Sequence, residues 1–232
     1  MILLAMDTSG PVCGVALMED GLIRYEAAVK NKMTHSENLM PMVEEAFEKT
    51  GLSVDKCDVF SVVVGPGSFT GVRLGVSAVK ALCHATGKPC VAVDALEATA
   101  WGAGMFDGVI CPIQDARAGQ VYAACFDGMT LERVMDDTPI PVTDLCEKLK
   151  AEGKKVLFLG DGTLVHREKI AALMGDKACF APAQYNYLRP AAVAAIGWAH
   201  RDQAVDYLTL QPMYLRAPSA ERQKNLVEKA HV

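Results

Sequence analysis

The segment Gly65-Pro66-Gly67-Ser68-Phe69-Thr70-Gly71 is the stretch of this chain best placed to do chemistry. It follows an apolar run and opens a helical pattern, so free backbone N–H groups gather at the positive end of a helix dipole, where an anion can be held. The glycine spacing is one residue off the dinucleotide fingerprint, and the Gly-Lys-Ser/Thr ending of a phosphate loop is missing. Two uses stay open: nucleotide or anion contact through Gly65, Gly67 and Ser68, or a structural turn with Ser68 as N-cap. Asp7 and Asp161 each stand where a strand pattern ends beside a small residue, the position at which α/β folds place ligand-contacting carboxylates. They serve equally well as turn caps. Asp115-Ala116-Arg117 opens a hairpin turn, where a local capping or ion-pair role is expected.

Other constellations are less specific. His35 begins a helical pattern, but Leu39 holds the four-on position that a metalloprotease motif gives to a second histidine. Gly-x-Ser-x-Gly is absent. The eight cysteines contain no Cys-x-x-Cys pair, so zinc is not indicated, and unpaired thiols in a reducing compartment are expected. Gly71, Gly75, Ala78, Val79, Leu82 and Ala85 recur at helical spacing. Two helical glycines cost roughly 1 kcal/mol each against alanine, and close approach of another element would offset that. Spacing does not say whether that element belongs to this chain or to a partner.

Strands and helices must position these groups. Apolar alternation predicts strands at 2–6, 12–18 and 22–29, with Asp20-Gly21 turning a hairpin. A capping box at Thr34 and Glu37 starts a helix that Gly51 ends. A doubly apolar strand at 59–64 precedes the Gly-Pro-Gly turn and a helix to about Ala85. A short strand at 91–93 and a helix capped by Asp94 follow. After the glycine-rich interval 102–108, strands are expected at 109–113, 120–126 and 129–135. A helix at 143–151, a strand at 156–160, and helices at 164–174 and 190–200 complete the pattern. Strands first and alternation second, in both halves, points to two related α/β units.

Composition narrows the function. The 232 residues carry a formal charge of −5, with no basic stripe of the kind nucleic-acid binding uses. Apolar runs such as Val62–Val64 and Ala191–Ile196 fall well short of the ~18 residues a membrane span needs. No basic leader precedes the apolar start, and a cytoplasmic protein is expected.

Five strings together resemble the TsaB (YeaZ) family: ILLAMDTSG, THSENLMPMVEEAF, VVVGPGSFTGVRLGVSAVKALC, IQDARAGQVYAACF and PMYLRAPSAER. The GPGSFTGVRLG portion is the most specific. The resemblance implies a two-domain actin, sugar kinase and Hsp70-like fold with a reduced second domain. The expected division is 1–103, 104–217 and a polar tail at 218–232. It also implies a scaffold role in forming threonylcarbamoyladenosine in tRNA, by pairing with the catalytic subunit TsaD and with the ATPase TsaE. ATP and metal would then reside in the partners, tRNA would be reached only through the complex, and a homodimer is possible. The implied partner surface uses Thr34, His35, Leu39 and Met42 on one helix, with Gly71, Val72, Gly75, Ala78, Val79 and Leu82 on the other. TsaD-type proteins carry a histidine pair on the first of these helices, and Leu39 replaces its second member. A small ATPase using Asp7, Gly65–Gly71 and Asp161 is the rival enzyme. A peptidase lacks its metal pair or triad.

Overall fold

The computed structural model describes residues 1–216; the tail expected at 218–232 lies outside them. Strands β1 (Ile2–Asp7), β2 (Cys13–Glu19) and β3 (Leu22–Val29) form an antiparallel meander. Helix α1 (His35–Thr50) leads to β4 (Val59–Gly65), and α2 (Phe69–Thr86) leads to β5 (Cys90–Asp94). Both new strands run parallel on the other side of β1, giving the order β3-β2-β1-β4-β5. Every residue of β1 and β4 is buried, as strands covered on both faces require.

The second half repeats this order. β6 (Val109–Asp115), β7 (Gln120–Asp127) and β8 (Arg133–Pro141) form a meander. Next come α4 (Val142–Glu152), β9 (Val156–Leu159), α5 (Gly162–Met174) and β10 (Ala178–Phe180). The sheet order is β10-β9-β6-β7-β8. β8 starts later than the apolar pattern suggests. Asp127 accepts hydrogen bonds from the N–H groups of Met129 and Thr130, and Leu131 adopts φ +59°, so the chain is still turning there. The strand then extends through Pro139 to Pro141, which an edge strand tolerates.

The helices follow local signals. Glu37 accepts a 2.7 Å bond from the Thr34 N–H at the start of α1, and Gly51 closes it in the left-handed region at φ 69°. Ser68 caps α2 by accepting from the Gly71 N–H at 3.3 Å. Leu39 and Met42 of α1 and Val72, Val76 and Val79 of α2 share one core with β1 and β4. A fully withdrawn side chain such as Leu39, 1% exposed, contributes roughly 2 kcal/mol.

Helix α3 (Ala95–Trp101) joins the halves. Ala95 and Ala98 pack in the core of the first sheet, whereas Leu96 and Ala100 pack with Ile110 and Phe126 of the second.

The final helix corrects an expectation. Helix α6 (Pro190–Ala199), expected with the second half, covers the face of the first sheet opposite α1 and α2. Its alanine-rich surface lets it sit close: a Cβ on Gly197 would come within 2.6 Å of the Ser61 Cβ. The Ser61 hydroxyl donates to the Val193 carbonyl at 3.4 Å. At its start, Arg189 grips Glu26 of β3 through two nitrogens, and Glu26 also accepts from the Ala191 N–H at 3.1 Å. Beyond α6, Val205 and Cys90 exchange backbone bonds of 2.9 and 2.8 Å, and the Met213 N–H donates to the Val64 carbonyl at 2.7 Å. Residues 190–213 therefore complete the first unit. A division that assigns all of 104–217 to the second does not hold for them.

Candidate functional site

A cleft of about 600 Å³ opens between the halves. The first half supplies the turn after β1 and the Gly-Pro-Gly turn before α2. These two are laced together: the Ser68 N–H donates to the Ser9 carbonyl at 2.7 Å, and the Thr8 hydroxyl donates to the Gly71 carbonyl at 2.6 Å. The second half supplies the β6–β7 hairpin turn and Asp161, which follows β9. A strap, Met213–Arg216, forms one wall.

Each carboxylate is set by its local chain. Asp7 is buried and accepts from the Ser9 N–H at 2.7 Å. Burial pushes its carboxyl above the usual range, opposed by the bonds to Ser9 and the nearby His35. Asp161 accepts from the Asp115 N–H at 3.3 Å, and burial, with the Asp115 charge adding, pushes it up to about 6. Asp7 and Asp161 also line one small cavity of about 20 Å³ beside the main cleft, with Thr99 and Gln114. That volume suits a group no larger than water.

The hairpin turn is strained. Arg117 and Ala118 adopt φ 64° and 52°, followed by Gly119 at 73°. Non-glycine residues held there cost on the order of 1–3 kcal/mol each and persist only when their surroundings fix them. Asp115 does part of this by accepting from the Arg117 N–H at 3.2 Å, and His166 approaches the same oxygen at 3.3 Å. The expected local capping role of Asp115 is therefore visible.

The strap was not read from the sequence as part of a site. Tyr214 stacks on Phe69 at 4.7 Å, and the Arg73 guanidinium lies 3.8 Å from the Phe69 ring centre while its Nε donates to the Tyr214 hydroxyl at 2.8 Å. The one sequence signal for this contact was the PMYLR string itself. Ser9 and Gln114 were also missed as cleft residues, having only a polar turn and a strand end to mark them.

The expected partner surface requires correction. Gly71 and Gly75 face their own chain: a Cβ on Gly71 would collide with the Thr8 carbonyl, and one on Gly75 would lie 2.7 Å from the Thr8 hydroxyl and 3.3 Å from Val62. Val72, Val79, Leu39 and Met42 are core residues. Small side chains in α2 thus admit β1 and β4 rather than another molecule. Thr34 is exposed, His35 half-buried, and Ala78 and Leu82 sit half-buried at the edge of the core. The outward side of α2 carries Ser77, Ala81 and Ala85, with Met40 of α1 46% exposed.

The His35 Nε2 lies 2.9 Å from the Gly10 carbonyl, bracing the turn after β1. Among the described residues no group of three or more His, Cys, Asp or Glu converges, and no helix is long and apolar enough to cross a membrane.

A meander extended by two parallel strands, repeated on either side of a cleft, defines the actin, sugar kinase and Hsp70-like class. A hexokinase of the ROK type from Thermus thermophilus shares the fold at a TM-score of 0.50 and 14% identity, covering 84% of this chain and 98% of its own. A family model described as TsaD, tRNA N6-adenosine threonylcarbamoyltransferase, matches residues 29–223. The tRNA threonylcarbamoyladenosine biosynthesis protein TsaB of Bacillus subtilis is 36% identical over 95% of this chain and 96% of its own length. The crystal structure of YeaZ from Pseudomonas aeruginosa superposes at a TM-score of 0.74 with 26% identity, covering 92% of this chain and 99% of that one. The chain belongs to the TsaB (YeaZ) family.

Proposed function

We propose that the chain is a non-catalytic subunit for forming N6-threonylcarbamoyladenosine next to the anticodon of tRNAs that read codons starting with A. It works in the cytoplasm by pairing with a TsaD-type catalytic subunit and with TsaE, which bring the metal and ATP. The naming of its relatives for threonylcarbamoyladenosine biosynthesis supports the pathway. One observation supports the accessory role above others. At the two positions where a metal-binding helix would present histidines, His35 is engaged with the Gly10 carbonyl and Leu39 is a core residue, 1% exposed. The Gly10 carbonyl can only accept, so the His35 Nε2 carries the proton and braces that turn, and Leu39 offers no ligand at all, which leaves the two-histidine set incomplete.

Docking then falls to the outward sides of α1 and α2, where Met40, Ala81 and Ala85 are exposed beside the half-buried Ala78 and Leu82. Small residues there let a partner helix come near without a large loss of side-chain freedom.

The test is reconstitution with purified TsaD, TsaE, tRNA and the threonylcarbamoyl adenylate, with and without this chain. Modification is expected to require the chain and to survive His35→Ala within about threefold, as for a residue outside the chemistry. A loss of about 1,000-fold in a folded His35→Ala variant, some 4 kcal/mol of transition-state stabilisation, would sink the accessory role.

A further inference from the structure

Arg73 stands on the exposed outer side of α2, yet its guanidinium is held in place. It lies 3.8 Å from the centre of the Phe69 ring, one turn earlier, and 5.7 Å from the Tyr214 ring. Its Nε donates to the Tyr214 hydroxyl at 2.8 Å, and the two rings are themselves stacked at 4.7 Å. A long side chain ordered in this way before association has less freedom left to lose on meeting a partner. The Nε accounts for one of the five N–H donors of a guanidinium. Among the described residues no carboxylate pairs with Arg73, so the terminal fork is left for another molecule.

The surroundings say what that molecule presents. Helix α2 holds no acidic residue, and its lysine and arginine are Lys80 and Arg73. Arg73, Ser77 and Ala81 follow one another at four-residue steps along the exposed side, so the guanidinium continues the side on which docking is proposed. A planar fork takes a carboxylate or a phosphate through two parallel bonds. Helix α1, which packs beside α2 on the same core, separates these choices. It exposes Glu37, Glu44, Glu45 and Glu48, which repel a polyanion laid along this face. A protein that offers one carboxylate keeps its other charges free to suit those glutamates.

We infer that Arg73 is a specificity-determining anchor of the docking side, gripping an aspartate or glutamate of the TsaD-type subunit through its terminal nitrogens. This rests on the pairing proposed above and adds a residue that selects for it. Arginine is enriched among the few residues that dominate interface energies. Lysine does not substitute for it, because an ammonium carries neither the planar fork nor the flat face that lies on Phe69.

The experiment is a calorimetric titration of the full chain with purified TsaD at about 50 and 300 mM salt, for wild type, Arg73→Gln, Arg73→Lys and Tyr214→Phe. Wild type is expected to pair, and to pair more weakly at the higher salt. Arg73→Gln should lose about tenfold or more at the lower salt and depend less on salt, and Arg73→Lys should recover only part of that loss. Tyr214→Phe removes the bond to the strap but leaves the guanidinium and both rings, and should stay within about threefold of wild type. A loss below about tenfold in Arg73→Gln would overturn the assignment. Comparable losses in Arg73→Gln and Tyr214→Phe would do the same, making Arg73 a brace for the strap. So would weaker tRNA binding by the assembled complex with pairing unchanged, since the fork would then serve a phosphate. Failure of wild type to pair at all would overturn the proposed pairing and the anchor together, whereas the other outcomes remove the anchor alone.

Discussion

Gly75 illustrates what a residue type can and cannot disclose. Its helical spacing with Gly71 announces a close neighbour, because nothing else offsets the cost of glycine in a helix. It does not identify the neighbour, which proves to be Thr8 of the same chain. Helix propensity alone would make Gly75→Ala stabilising by about 1 kcal/mol. The new Cβ would instead press on the Thr8 hydroxyl at 2.7 Å, so the variant is expected to lose roughly 1–2 kcal/mol in urea unfolding. Combining it with Thr8→Ala should cost less than the sum of the two, and strict additivity would refute the contact. A second residue, Asp94, carries a pH signature. It caps α3 by accepting from the Glu97 N–H at 2.7 Å and lies 3.6 Å from Arg133, which also pairs with Asp137. Burial, then the nearby Asp137, push its carboxyl up to about 8 from 3.8. The folded chain therefore holds a proton that the unfolded chain has released. That stabilisation is complete below the unfolded value and disappears as pH rises through about 8. Asp94→Asn keeps the cap and removes the titration. Wild type should lose roughly 5–10 °C of Tm relative to this variant between about pH 6 and 9. Parallel curves would show that Asp94 ionises normally.

Among elements, those with explicit end signals were readable: α1 from Thr34 and Glu37, α2 from Ser68, and α3 from Asp94. Helix α6 was readable as a helix but not as a lid on the first sheet. A segment reading PAAVAAIGWA is apolar on every side, which demands burial without saying against what. The cleft was half-legible for a related reason. Turns with glycine and aspartate mark themselves, whereas Ser9, Gln114 and Arg216 reach it only through the packing of distant segments. The inner side of α2 packs on its own chain, and Ala81→Arg tests the docking proposed for the outer one. It places a long charge on an exposed helical position. Pairing with a TsaD-type partner should weaken about tenfold or more in calorimetric titration while thermal stability stays within about 1 °C. Unchanged affinity would move the docking surface elsewhere.

At the level of the whole molecule, α3 binds the halves into one cooperative body, since Ala95 and Ala98 belong to one core and Leu96 and Ala100 to the other. Tryptophan fluorescence samples the first half, because Trp101 and Trp198 both pack on its core. Far-UV circular dichroism samples both halves. Their urea transitions are expected to coincide, and separated midpoints would show that the halves unfold independently. The repeated succession of strands and then alternating helices in the two halves was legible from the strand and helix pattern alone, whereas the order of the strands within each sheet was not. The crossing back of residues 190–213 was not, because hydrophobic periodicity carries no information about long-range order.

That crossing has a consequence for how the chain is made. On the ribosome the first strand emerges first, yet one flank of its sheet, covered in part by Ala95 and Ala98 of α3, is not completed until α6 has been synthesised. Throughout that interval Leu3, Ala5 and Val63 form an uncovered apolar plate, and a nascent chain halted before Pro190 would keep it permanently. A chain that stops short of Pro190 is therefore expected to aggregate or to be held by chaperones, whatever the stability of the completed fold.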